Sequence, residues 1–367
     1  MSWKTEKIGN LLSRVKRAGK LKASEYKEVG SFPVIDQGDN DIAGYSDNPE
    51  IAHKFPLPIV VFGDHTRRVK LVREPFVCGA DGTQLLYPLE CIDPVFFYHA
   101  VKNIDLSNYF YARHFKFLKD QEISFPDLSV QKRIASILSA YDDLIENNRR
   151  RIALLEQSAQ LLYREWFIHF RFPGHEATNF INGLPKSWEI RSLVEVAVNF
   201  DRRRIPLSVR EREQRPGSFP YHGAAGILDY VDDFIFDGRF LLMGEDGTVI
   251  TKDGHPMLQL VNGKFWVNNH AHILQGEKIS TEFLWCCLNN YQISGHITGV
   301  AQPKVTQKNM NRIPIIFPHI KILELFYSHI DPVIEQIFAL KYQNQKLCKA
   351  RDLLLPRLMD GRIPVDA

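Results

Sequence analysis

The chain has 367 residues, 44% of them hydrophobic and 24% charged, a length that suits two domains of ordinary size better than one core. No apolar run approaches the roughly 20 residues that span a bilayer, and the opening Met1-Ser2-Trp3-Lys4-Thr5-Glu6-Lys7 lacks an apolar stretch before a cleavage site, so a cytoplasmic location is expected. The formal net charge of +3 is too small to identify a nucleic-acid partner, although Lys4, Lys7, Arg14, Lys16, Arg17, Lys20 and Lys22 crowd the first 22 residues against one acid, Glu6.

Read in chain order, the sequence is one unit written twice, with landmarks recurring about 187 residues apart. Each copy opens on a tryptophan with an aliphatic residue five positions on, Trp3 with Ile8 and Trp188 with Leu193. Phe-Pro then precedes a glycine-containing turn, in Phe32-Pro33-Val34-Ile35-Asp36-Gln37-Gly38 and Phe219-Pro220-Tyr221-His222-Gly223. Next come Ile42-Ala43-Gly44-Tyr45 and Gly226-Ile227-Leu228-Asp229-Tyr230. An apolar run ending in glycine plus an acid follows, Val60-Val61-Phe62-Gly63-Asp64 and Leu241-Leu242-Met243-Gly244-Glu245. Short β-branched and aromatic runs broken by Gly, Asn and Asp predict strands and turns, so each globular region is mixed and β-rich. A second Phe-Pro, Phe125-Pro126 and Phe317-Pro318, closes each region before the pattern turns helical.

The first helical stretch places Ile145, Asn148, Ile152, Leu155, Ala159, Leu162 and Trp166 at alternating steps of three and four. The second repeats this with Ile330, Val333, Ile337, Leu340, Asn344, Leu347 and, less well, Arg351 before Leu354. This is the spacing of a coiled-coil seam. Asn148 and Asn344 either fix register from a buried position, at a cost in stability, or lie at a solvated edge. Asp142 and Asp331-Pro332 read as helix N-caps, which makes the helices 26 and 25 residues long, about 38 Å at 1.5 Å per residue. That is close to the roughly 34 Å between half-sites read from one face of B-DNA. If the chain leaves the first globular region along one helix and returns from the second along the other, the helices run antiparallel and the molecule has approximate two-fold symmetry.

The ordered set Phe32-Pro33-Val34-Ile35-Asp36, Ile42-Ala43-Gly44-Tyr45, Val60-Val61-Phe62-Gly63-Asp64-His65-Thr66 and Phe125-Pro126 resembles the target-recognition domains of Type I restriction-modification specificity (S) subunits, the HsdS family. Gln131-Lys132-Arg133-Ile134-Ala135-Ser136-Ile137-Leu138 running into Asp142-Asp143-Leu144-Ile145-Glu146-Asn147-Asn148 is similar to that family's central conserved region. The second copy is more diverged, with Lys321-Ile322 in place of Gln131-Lys132, but its tail, Leu353-Leu354-Leu355-Pro356-Arg357-Leu358-Met359-Asp360-Gly361, is again typical.

The resemblance covers nearly the whole chain. It implies an α+β fold with two similar target-recognition domains, 1–128 and 171–318, separated by two long antiparallel coiled-coil helices in a central region, 129–170, and a distal one, 319–367. It further implies that each domain reads one half of a bipartite, asymmetric site on double-stranded DNA while the helices space the halves and dock two modification subunits. Chemistry is then left to partners: adenine methylation from S-adenosylmethionine by the modification subunits, and ATP- and Mg2+-dependent translocation and cleavage with restriction subunits. This chain would be non-catalytic and bind no cofactor itself.

Direct motif search agrees in finding no enzyme. There is no G-x-x-x-x-G-K-S/T phosphate loop and no D/N-P-P-Y/F of amino-methyltransferases. Asn48-Pro49-Glu50 lacks the second proline and the aromatic, and Glu25-Tyr26-Lys27 has no upstream Pro-Asp. His270-Ala271-His272 would set two imidazoles on one face of a strand, but no Cys or acid supports a metal there. Cys78, Cys91, Cys286, Cys287 and Cys348 are odd in number without C-x-x-C spacing, so reduced, mostly buried thiols are expected. Phe283-Leu284-Trp285-Cys286-Cys287-Leu288 reads as a buried element.

DNA contacts are sought in loops that leave strands, since bidentate side chains read base edges and cations hold phosphates. In the first copy the candidates are His65, Thr66, Arg67 and Arg68, with Lys70 and Arg73 behind them. In the second they are Arg202, Arg203 and Arg204, and Gln302, Lys304 and Lys308 of the loop Gly299–Lys308, where the resembling family carries a similar Gly-Gln-Pro element. Arg149-Arg150-Arg151 is placed on the helix as a solvated face or partner contact. A protein-only coiled-coil scaffold and a stand-alone nuclease or methyltransferase are the competing readings.

Overall fold

The computed structural model describes residues 3–14, 19–79, 82–107, 113–299 and 302–365. Lys16 and Arg17 of the basic opening, and Val300 and Ala301 of the loop before Gln302, lie outside the described residues. The chain divides into two compact units, Met1–Asn147 with Gln343–Ala367, and Asn148–Tyr342.

The first unit runs through β1 (Lys4–Lys7), β2 (Lys20–Leu21), β3 (Phe32–Ile35), β4 (Gly44–Ser46), β5 (Ala52–His53), β6 (Ile59–Gly63), β7 (Val69–Val72), β8 (Phe76–Gly79), β9 (Thr83–Leu86), α1 (Pro94–Lys102), α2 (His114–Asp120), β10 (Glu122–Phe125) and the start of α3 (Leu128–Tyr163). β6 is buried at every position because both its faces are covered. Val60 and Phe62 pack with Phe96 and Phe97 of α1, whereas Ile59 and Val61 pack with Ile35 and Phe76. α1 starts where the sequence provides a cap: the Asp93 carboxylate accepts from the amides of Val95 and Phe96, and Pro94 follows.

The second unit continues α3 and adds β11 (Phe180–Ile181), β12 (Leu184–Pro185), β13 (Glu189–Ser192), α4 (Leu193–Val196), β14 (Ala197–Asn199), α5 (Val209–Glu213), β15 (Pro216–His222), β16 (Ile227–Val231), β17 (Phe236–Gly244), β18 (Leu258–Val267), β19 (Ala271–Gly276), α6 (Thr281–Asn289), α7 (Gln307–Met310), β20 (Pro314–Phe317) and the first stretch of α8 (Ile320–Met359). Its central strand repeats the logic of β6. Leu241 and Met243 of β17 pack with Phe283 and Leu284 of α6, and Phe240 and Leu242 with Phe236 and Phe265.

The duplication seen in the sequence is a duplication of pairing. β1 pairs antiparallel with β10, Lys4 opposite Phe125, and β13 pairs antiparallel with β20, Glu189 opposite Phe317. β3 is antiparallel to β4 and parallel to β8; β15 is antiparallel to β16 and parallel to β18. β6 lies between β7 and β9, and β17 between β18 and β19. The ten-residue β18 does what β7 and β8 share in the first unit, where Arg73, Glu74 and Pro75 interrupt the strand.

The helices are longer than the capping pattern predicts. α3 begins at Leu128, two residues after Pro126, and α8 at Ile320, two after Pro318, so Asp142 and Asp331 are interior residues and not N-caps. Asp142 is instead an ion-pair partner, with its Oδ1 2.6 Å from Arg351 Nη1. Pro332 leaves the Ser328 carbonyl without its helical amide donor, but buried Ile330, Ile334 and Ile337 on either side hold α8 through it.

The two helices run antiparallel within each unit: Asp142 meets Arg351 and the Ile145 carbonyl meets Asn344 in the first, and Glu156 pairs with Lys341 at 3.0 Å in the second. Of the predicted seam, Ile145, Ile337 and Leu340 are buried, and Ile152, Leu155, Leu162, Val333 and Leu347 half-buried. Asn148 is 3% exposed; Asn344 is half-buried and donates to the Ile145 carbonyl at 3.2 Å.

α6 is buried along Thr281–Leu288, and Cys78, Cys286 and Cys287 are buried free thiols, while Cys91 is exposed and Cys348 half-buried. No helix among the described residues is long and apolar enough to cross a membrane.

His99 on α1 is 1% exposed, and neither ring nitrogen has a hydrogen-bond partner among the described residues. Burial pushes its pKa down to about 4, although the Asp142 carboxylate 3.9 Å away works in the opposite direction. The unfolded chain takes up this proton near pH 6.5, so the native state is penalised as pH falls from about 6.5 to about 4. The loss amounts to about 3 kcal/mol. Denaturant unfolding of the wild type and His99→Leu across that range should therefore diverge, the wild type falling more steeply; parallel profiles would rule the linkage out.

Candidate nucleic-acid interface

In the first unit the turn after β6 is fastened from four directions. The Asp64 amide donates to the Gly82 carbonyl at 2.7 Å, the Asp64 carbonyl accepts from the His114 amide at 2.9 Å, and its carboxylate accepts from the Phe115 amide at 2.8 Å. Thr66 Oγ1 donates to the Gln37 carbonyl at 2.5 Å, and the His65 amide to Gln37 Oε1 at 3.1 Å. Gly63 is required here because a Cβ would run into Thr66 and Gln37. Arg67 adopts φ 62°, a left-handed conformation held by its amide donating to the Gly63 carbonyl at 2.8 Å and by Nη1 donating to the Leu106 carbonyl at 3.1 Å.

The exposed side chains on this frame are His65, Thr66, Arg67 and Arg68, the last paired with exposed Asp39 at 2.6 Å. Lys70 does not join them. It is 8% exposed, donates to the Asn40 carbonyl at 2.5 Å, and burial lowers its pKa despite nearby Asp36. The alternation along β7 turns it inward. Arg73 lies past the other end of β7, near Asp93 and Lys132 around a hollow of about 440 Å³.

In the second unit Glu245 is the hub. Its amide donates to the His270 carbonyl at 2.8 Å and its carbonyl accepts from the Val305 amide at 2.8 Å. Its carboxylate lies 2.6 Å from Arg204 Nη1 and 3.3 Å from Lys304 Nζ. His272, 1% exposed, faces acceptors with both ring nitrogens, Asp201 Oδ2 at 2.6 Å and the Val305 carbonyl at 2.8 Å. Burial opposes ionisation of Asp201, yet the His272 ring and the Ile273 amide hold its carboxyl below the ordinary range. Asp201, Glu245 and His272 are close enough to share a cation, but Arg204 and Lys304 already place the chain's own cations on these carboxylates.

His270 and His272 do not share a face. His270 precedes β19 in a turn and is exposed, with its ring on Asp246, whereas His272 points into the unit. Arg204, expected at the surface, is spent on Glu245 and on the Ala271 carbonyl. Arg203 donates to the Ile235 carbonyl and lies over Phe236. Among the described residues, Arg202, Gln302 and Lys308 are exposed and make no hydrogen bond or ion pair through their side chains.

Each unit thus offers the same construction, a strand ending in glycine and an acid whose polar groups fix neighbouring loops and leave cations at their rim. The family model for the Type I restriction modification DNA specificity domain matches residues 2–157 and again 185–347. The chain belongs to this family.

Among its relatives is the type I restriction enzyme MjaIX specificity subunit of Methanocaldococcus jannaschii, 30% identical over 271 residues, 68% of this chain and 62% of the relative. The chain thus spans about three fifths of that relative's length. The type I restriction enzyme HindI specificity subunit of Haemophilus influenzae is 19% identical over 315 residues, 66% of this chain and 69% of the relative. The crystal structure of a type I restriction-modification S subunit from M. genitalium has the same fold, with TM-score 0.58 and 17% identity over 100% of this chain and 97% of the other.

Within this specificity-domain architecture the sequence motifs missed two contributors. The loop Gln37–Asn40 holds His65, Thr66 and Lys70 in place, and its signal is the turn-forming Gly38-Asp39-Asn40 shortly after β3. The turn Asn268–His270 fixes one side of the Glu245 hub; its signal is Asn-Asn-His between two apolar strands.

Removing a largely buried, multiply bonded partner from an ion network costs more than removing an unpaired rim cation. Glu245→Ala is expected to lower unfolding stability by about 2–4 kcal/mol, against at most about 0.5 kcal/mol for Arg202→Ala, as read from denaturation midpoints. Equal effects would mean that Glu245 is no hub.

Proposed function

We propose that this chain is the DNA-sequence-recognition subunit of a type I restriction-modification complex, each globular unit reading one half of a bipartite, asymmetric site on double-stranded DNA. The observation that carries this reading is the pair of equivalent strand-end loop clusters, alike in frame and different in exposed side chains, in a chain whose two copies each match the specificity-domain family. Two readers of one fold with different rims are what an asymmetric bipartite site demands.

On this reading the chain selects the site and performs no reaction. Two modification subunits docked on the helices supply adenine methylation from S-adenosylmethionine, and restriction subunits supply ATP- and Mg2+-dependent cleavage. The long antiparallel helices set the spacing of the two half-sites. His65, Arg67, Arg68, Arg202, Gln302 and Lys308 are the side chains best placed for DNA, while Lys70 and Arg204 act behind them as braces.

Binding to cognate duplex in the presence of the modification subunit should weaken steeply with salt. Arg202→Ala or Lys308→Ala should each reduce the slope of log K against log salt by about one. A salt-independent affinity would defeat the proposal.

Exchange of residues 1–125 with those of a related subunit should alter one half of the methylated site and leave the other intact, as mapped by long-read detection of methyladenine. Whole helical turns added within residues 145–165 should change the spacer length alone. Alteration of both halves in the exchange would overturn the assignment of one unit to one half.

A further inference from the structure

His270 is an exposed side chain of the second unit's loop cluster that is fastened through both its backbone and its ring. Its amide donates to Asn268 Oδ1 at 2.8 Å, and its carbonyl accepts from the Glu245 amide at 2.8 Å. The turn itself is anchored where the Asn268 amide donates to the His222 carbonyl at 3.0 Å. The ring is fixed in turn, since Nδ1 is hydrogen-bonded to Asp246 Oδ1, and Asp246 is mostly buried. Nearly half of the His270 side chain remains exposed, and Nε2 has no partner among the described residues.

A carboxylate on Nδ1 selects the tautomer that carries its proton there, which leaves Nε2 of the neutral ring as a hydrogen-bond acceptor. Fixed direction matters, because a side chain already immobilised loses little entropy on contact. The exposed cations Arg202 and Lys308, with no side-chain partner among the described residues, suit phosphates, whereas a restrained acceptor suits one base edge. In the major groove only adenine, through N6, and cytosine, through N4, present an amino donor.

We propose that His270, aimed by Asp246, is a specificity-determining residue that accepts a hydrogen bond from the exocyclic amino group of one adenine or cytosine in the half-site of the second unit. This rests on the reading of the chain as a DNA-recognition subunit. Asp246 is the positioning residue, acting through the ring it orients.

The test is selection from randomised duplexes by the complex of full-length chain and modification subunit. If the wild type selects no bipartite site, the DNA-recognition reading itself fails. Given a wild-type site, His270→Ala should lose about tenfold of its discrimination at one base pair where adenine or cytosine was preferred. Every other position in both halves should be unchanged.

Asp246→Asn can present its amide nitrogen to Nδ1 and favour the Nε2–H tautomer, which cannot accept from an amino group, so the preference for the amino-bearing base at that same pair should weaken. His270→Ala retaining the wild-type preference at all pairs, or losing affinity equally for all sequences, would overturn the proposal. Should thermal melting show that His270→Ala disrupts the unit, Asp246→Asn decides, and an unchanged preference there would be equally fatal.

Discussion

Each globular unit is closed by one antiparallel pairing between an early strand and its last, β1 with β10 from Lys4 to Phe125 and β13 with β20 from Glu189 to Phe317. Everything between is thereby held in a loop of more than a hundred residues, and the closure places a Phe-Pro at the point where the chain must leave. Proline cannot continue the ladder, since it lacks the amide donor, so the chain turns out of the sheet and the helix begins two residues later. The tryptophan before the closing strand, β1 or β13, belongs to the same junction. Trp188 is buried against Phe167 in the turn just beyond α3, and Trp3 sits against Gly361 just beyond α8. Strand closure and helix attachment are therefore one structural event, which explains why Trp and Phe-Pro are the landmarks that recur most faithfully.

From that closed frame the central strands β6 and β17 run outward to their loop ends, covered on both faces. β6 throughout and β17 from Phe240 to Gly244 have no solvated side on which to vary, and the freedom at this end lies beyond the terminal glycine. The acid that follows is retained in charge but not in length or use. Asp64 binds backbone amides at the start of α2, whereas Glu245 collects Arg204 and Lys304. A longer side chain in the second unit reaches a wider circle of loops, which is why its cationic candidates are partly drawn inward.

This division also explains what could be read from the sequence. The duplicated β-rich regions, the Phe-Pro boundaries, the seam and the buried α6 run depend on local composition and on periodicity, both of which are visible in one dimension. The N-cap reading of Asp142 and Asp331 failed because a cap and an ion-pair acid look alike there: the discriminating partner, Arg351, is 209 residues from Asp142. Lys70 and Arg204 misled for a related reason. A cation after a strand reads as surface, and only the approach of the Asn40 carbonyl or the Glu245 carboxylate shows that its charge is already engaged.

The same physics decides which exposed side chains can discriminate and which can only attract. A cation with no local partner adapts to any phosphate, and its contribution is spread over all sequences and screened by salt. A polar group whose other hydrogen-bonding atoms are all satisfied has one remaining direction, and a base that cannot answer it leaves that group desolvated and unpaired, which is costly. The frame of backbone bonds around Asp64 and Glu245 converts some rim side chains from the first kind to the second. Loops that differ between the two units can then differ in what they reject, while the strands beneath them remain the same.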